Sequence, residues 1–151
     1  MAKLESWVAL GSLGMGIMFV ALMISFYFFL IGPQGKGPDV YVDPGGLAIF
    51  IISISGAPSL ILAGTVIGIT RTYQTMFASI ILITTAITLI TGMVIIIIRI
   101  LPEINEQYIV GILDKVPYIF IIGGLGIVGL GVYSFNKAKG LQQNHLEDEI
   151  Y

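Results

Sequence analysis

The sequence predicts an all-α integral membrane protein with four transmembrane helices and a short interfacial amphipathic helix before the last of them. Three observations predict it. Of the 151 residues, 56% are hydrophobic and 11% charged, with a mean hydropathy of +0.98; a soluble domain of that length has too little interior to hide so much apolar surface. The charges are placed as punctuation, leaving uncharged runs of 30 residues between Glu5 and Lys36, 27 between Asp43 and Arg71, 27 between Arg71 and Arg99, and 21 between Lys115 and Lys137. As a helix rising about 1.5 Å per residue, each run can cross roughly 30 Å of hydrocarbon. The spans are therefore expected near 7–32, 46–70, 75–100 and 117–136, in one transmembrane domain, 1–136, followed by an acidic C-terminal tail, 137–151.

The first span reads as an anchor. Its apolar stretch from Trp7 to Ile31 outruns a signal-peptide core, Glu5 stands where such a peptide carries positive charge, and no small-x-small cleavage site follows. Trp7 at one end and Phe26 to Phe29 at the other suit the two interfacial aromatic belts. The connection from Gly32 to Gly46 holds three prolines and five glycines, so an irregular loop is expected there. Asp39 and Asp43 within it could contribute to a calcium site, but two carboxylates fall well short of the six to eight oxygens calcium takes.

In the second span Pro58 removes a backbone donor and predicts a kink. Ser55, Ser59 and Ala63, with Gly64 and Gly68 beside them, would let another helix approach closely, and packing is a simpler reading of them than a gate. The connection Arg71 to Gln74 is so short that the second and third spans should form an antiparallel hairpin. Along the third span Thr84, Thr88 and Thr91 follow i, i+4, i+7. Their hydroxyls could line a polar track, bond to a neighbouring helix, or bond back to the carbonyl one turn earlier.

Between the third and fourth spans, Ile104, Tyr108, Ile109, Ile112, Leu113 and Val116 share one helical face, with Glu103, Glu106, Gln107, Asp114 and Lys115 mostly opposite. That stripe predicts a short helix resting in the headgroup region. The last span contains Gly124, Gly126 and Gly129 in the G-x-G-x-x-G spacing of a dinucleotide-binding turn. Such a site needs a second strand and a crossover helix beyond the turn, and only twenty residues follow Gly131. The glycines read better as packing surface: Gly123, Gly126 and Gly129 recur every third residue and would open a helix face to close backbone approach.

Four spans put both termini on one side, which divides the basic residues as Lys3, Arg71, Lys137 and Lys139 against Lys36, Arg99 and Lys115. Four against three places the termini in the cytoplasm, in a multi-pass protein of the cell membrane.

The spans carry hydroxyls but no Asp, Glu, Lys, His or Cys near a bilayer midplane, where proton relays and ion-coupled transport sites usually need them. The chain has no cysteine and one histidine, His145, which sits with Glu147, Asp148 and Glu149 in a tail that reads as solvated or as a docking point for a peripheral partner. No catalytic residue, cofactor or metal site is expected. A pore for polar solutes would call for charged rings, a conspicuous polar stripe or paired broken helices. The expected function is a non-catalytic accessory subunit that packs against other integral membrane subunits in lipid, with no nucleotide or nucleic-acid partner. The alternative is a small oligomeric channel, carrier or membrane assembly factor.

The isoleucine-heavy, cysteine-free spans, from Thr75 to Ile100 and from Pro117 to Gly140, resemble small membrane proteins of ammonia-oxidising archaea, in particular the non-catalytic accessory subunits of archaeal ammonia monooxygenase. The resemblance is compositional, over about two-thirds of the chain. It implies a copper-dependent membrane monooxygenase as partner, with every copper ligand supplied by other chains.

Overall fold

A computed structural model describes residues 4–69, 76–109 and 111–148. Among them are four helices long and apolar enough to cross a membrane: α1 (Leu4–Ile31), α2 (Pro44–Ile69), α3 (Met76–Glu103) and α4, whose apolar part is Val116–Gly140 and whose helix continues to Asp148. No strand occurs among the described residues. Each span ends within four residues of its expected limits. Residues 137–148 carry on the helix of α4, because Lys, Ala, Leu, Gln and Glu are good helix formers and Pro is absent after Pro117. The short connection at Arg71 to Gln74 lies outside the described residues.

The bundle is built around α1 and α3: α1 packs along both α2 and α3, and α3 packs along α4. The interior is an apolar cluster that includes Phe19, Met23, Tyr27, Leu82, Leu89, Met93 and Ile96. Only 33% of the apolar stretch of α1, α2 and α4 and 44% of that of α3 is buried within the chain. The larger, outward share of each span is left for lipid or for other subunits, as expected of a bundle of only four helices.

Two helices widen where a proline follows. In α2 the turn Ile52–Gly56 is π-helical, with the Ala57 N–H donating to the Ile52 carbonyl. In α3 the turn Ile96–Ile100 is also π-helical, with the Leu101 N–H donating to the Ile96 carbonyl. Each widened turn ends two residues before a proline, Pro58 or Pro102, which has no N–H for the regular ladder. The irregularity expected at Pro58 is thus displaced into the preceding turn. Ser53 and Ser55 donate to the carbonyls of Ile49 and Ile51 at 2.8 Å, back-bonds of the kind that bend a helix and so suit the irregular turn.

The expected interfacial helix between the third and fourth spans does not form, which corrects the sequence reading. The segment makes 3-10 turns at Leu101–Glu103 and Glu106–Tyr108, with Ile104 and Asn105 in extended conformations and Gly111 at φ 53°. Its apolar residues turn into the bundle: Ile104, Leu113 and Val116 are buried, Tyr108 and Ile109 partly so, while Ile112 is exposed. The Tyr27 hydroxyl of α1 donates to the Leu113 carbonyl at 2.6 Å. Protein contacts and a side-chain hydrogen bond replace the lipid surface and the helical ladder that the stripe suggested.

Candidate functional site

Helix contact faces are the candidate site, so the first question is which small residues meet a neighbour. One such meeting is between α1 and α2. Ser12 Oγ donates to the Ser59 carbonyl and Ser59 Oγ donates to the Ser12 carbonyl, both at 2.9 Å. This reciprocal pair is fully buried, and each serine satisfies its hydroxyl on the other helix instead of its own. One turn along α1, a Cβ built at Gly16 would lie 3.1 Å from Ser59 Oγ and 3.3 Å from Thr85 Cγ2. Glycine there lets α2 and α3 close on α1 at one level.

At Gly56, inside the widened turn of α2, a Cβ would lie 2.7 Å from Phe120 Cζ and 2.8 Å from Phe19 Cε2. Those rings pack at a centroid distance of 4.2 Å, tilted by 35°, joining α1, α2 and α4. On the other side of the bundle α4 meets α3 through Gly124, whose Cβ would stand 2.8 Å from Ile90 Cγ1, and Gly131, whose Cβ would stand 2.9 Å from Ile83 Cγ1. Ser79 and Ser134 hydrogen-bond through their hydroxyls at 3.1 Å, continuing the same seam. Gly92 of α3 lies against the Val20 side chain of α1.

The residues singled out from sequence divide between inside and outside. Ser55, Ser59 and Ala63 are buried, and Ser55 bonds back to Ile51 while Ser59 reaches α1. Gly123 is partly buried, 3.6 Å from the Leu60 methyls when given a Cβ. Gly64, Gly68, Gly126 and Gly129 are exposed, with nothing within 4 Å of a built Cβ. Sequence reasoning missed Ser12, Gly16, Gly56, Gly92, Gly124, Gly131, Ser79 and Ser134. A signal existed for part of this set. A step of three residues turns a helix by about 300°, so Gly123, Gly126 and Gly129 drift roughly 120° around α4, whereas the seven-residue step from Gly124 to Gly131 drifts only about 20°.

The G-x-G-x-x-G run lies wholly within the helix of α4, where the strand and turn of a dinucleotide site are replaced by helical backbone. The threonine row resolves toward the backbone: Thr84 and Thr88 donate to the carbonyls of Ile80 and Thr84, each at 2.9 Å. On the opposite membrane face, Gly37, at φ 90°, sits directly against the Tyr108 ring. Beside them Asp39, Pro44 and Gln107 line an open depression of about 420 Å³. Asp43 stands at the start of α2, its carboxylate over Gly45 and Gly46, where negative charge suits the helix dipole. Among the described residues no three His, Cys, Asp or Glu side chains gather as a metal site would require.

No known family model matches the chain, and comparison with curated proteins and with solved structures likewise found no match.

Proposed function

We propose that this chain is a non-catalytic accessory subunit of a multi-subunit membrane complex, held in a cell membrane with both termini in the cytoplasm. The observation that carries the reading is the division of the small residues into an inner and an outer set. The inner set already closes the bundle. The outer set, Gly64 and Gly68 on α2 with Gly126 and Gly129 on α4, leaves backbone uncovered on exposed helix faces. In lipid there is little hydrophobic force between helices, so association depends on close backbone approach and dispersion, and small outward residues favour it. The hydroxyls of Thr84 and Thr88 are taken up by their own helix, which leaves less for a polar conduction path.

The compositional resemblance makes an archaeal, copper-dependent ammonia monooxygenase the first complex to examine, with copper held by other chains. The deciding experiment is mild-detergent extraction from the native membrane followed by identification of co-migrating proteins. A large, defined assembly is expected, and Gly126→Leu together with Gly64→Leu is expected to release the chain from it while leaving insertion intact. Migration as a small homo-oligomer overturns the subunit reading in favour of a channel or carrier.

A further inference from the structure

We propose that the outward groove between α3 and α4, on the side of the membrane that holds the termini, is a binding site for an anionic phospholipid, with one acyl chain in the groove and the phosphate at Lys139. The groove encloses about 280 Å³ and is lined by Ile80, Ile83, Thr84 and Phe135. It exists because of Gly131. With no side chain there, Ile83 leans onto the α4 backbone, and Ile80 and Phe135 are left as the two rims.

The occupant follows from the lining. Three of the four side chains are hydrocarbon, and the hydroxyl of Thr84 is bonded to the Ile80 carbonyl at 2.9 Å, so a polar ligand would find no donor to use. Ile80 and Thr84 are exposed within the membrane-crossing part of α3, so the groove opens to the acyl region. The charge is in the right place for a lipid. Lys139 lies four residues after Phe135, about 6 Å further along the helix and within about 40° of the same face. It is exposed, at the point where the apolar stretch of α4 ends at Gly140. A phosphate at headgroup depth can therefore meet the ammonium while its acyl chain lies in the groove. Lys137 carries the same charge but stands about 200° around the helix from Phe135, so it serves as a control.

The test is native mass spectrometry of the full-length chain in mild detergent, titrated with phosphatidylglycerol or with phosphatidylcholine. One retained phosphatidylglycerol per chain is expected, bound about fivefold more tightly than phosphatidylcholine, the contribution of one lysine near the headgroups. Lys139→Gln should bring the two lipids to parity, whereas Lys137→Gln should leave the preference in place. Thr84→Phe, and independently Thr84→Leu, should abolish retention of both lipids by filling the groove, with melting temperatures confirming that each variant folds. Equal effects of the two lysine variants would mean diffuse surface charge and overturn the site. So would unchanged retention in the Thr84 variants, or a chain that carries no lipid and instead cross-links to a second copy through this face.

Discussion

Gly56 is where α1, α2 and α4 converge, and adding one methyl group there is expected to loosen the bundle. The new Cβ would lie 2.7 Å from Phe120 and 2.8 Å from Phe19, against about 3.5–4.0 Å for relaxed carbon contacts. Each ring would have to retreat by about 1 Å. Neither can do so alone, because the two rings already touch at a centroid distance of 4.2 Å and both are buried. Overpacking of this kind costs about 1–3 kcal/mol, and alanine's better helix propensity returns at most about 1 kcal/mol. A net loss of about 1–2 kcal/mol is expected for Gly56→Ala. The assay is reversible unfolding in mixed detergent micelles, followed by far-ultraviolet circular dichroism, beside Gly64→Ala, where open space predicts no loss. Shrinking a ring should rescue the variant, so Gly56→Ala with Phe120→Leu should be less damaging than the two single changes added together. Gly56→Ala that is as stable as the parent and additive with Phe120→Leu would refute the three-helix contact.

Ser12→Ala and Ser59→Ala should each destabilise the chain by about 0.6 kcal/mol, and by no more than about 1.7 kcal/mol, in the same unfolding assay, since interhelical bonds in membranes are modest. Tyr27→Phe strands the buried Leu113 carbonyl; a cost of about 1–3 kcal/mol and faster hydrogen exchange in residues 104–116 are expected, and unchanged exchange would mean that the bond does not hold the segment. Gly131→Leu should damage the isolated chain, whereas Gly129→Leu should leave its melting unchanged, because only Gly131 faces another helix. Cysteines placed at the exposed positions Leu4 and Gln143 should label from one side of the membrane and a cysteine at Tyr41 from the other; any other pattern contradicts four spans.

The spans were legible because charge spacing is a constraint that tertiary packing cannot override: a charged residue in hydrocarbon is costly wherever the helix turns. Their rotation was far less legible. In water, polar residues mark the outer face of a helix, but here isoleucine covers both faces, as at Ile95, which is exposed, and Ile96, which is fully buried. Small residues carry the remaining signal, and they are ambiguous, since a glycine admits a neighbour from its own chain as readily as one from another. The connection at 104–116 failed for a different reason. Its stripe reported correctly that Ile104, Leu113 and Val116 are buried, yet periodicity cannot say whether lipid or protein buries them, and Gly111 in a left-handed conformation breaks the helix that periodicity assumed.

The same ambiguity explains why the candidate site is split across two kinds of contact. The seam of Gly124 and Gly131 runs nearly straight because its step of seven residues brings the helix back to within about 20° of its starting direction, and a straight seam is what a neighbouring span needs over two turns. Gly123, Gly126 and Gly129 wind away from that direction, so a partner that used them would cross α4 at an angle instead of lying along it. Gly64 and Gly68, one turn apart on α2, would admit such a crossing at a single point of close approach. An outward contact of that geometry is local, and one large side chain at its centre suffices to prevent it. That is why Gly126→Leu and Gly64→Leu are expected to act on assembly while Gly124 and Gly131 govern the fold of the chain itself.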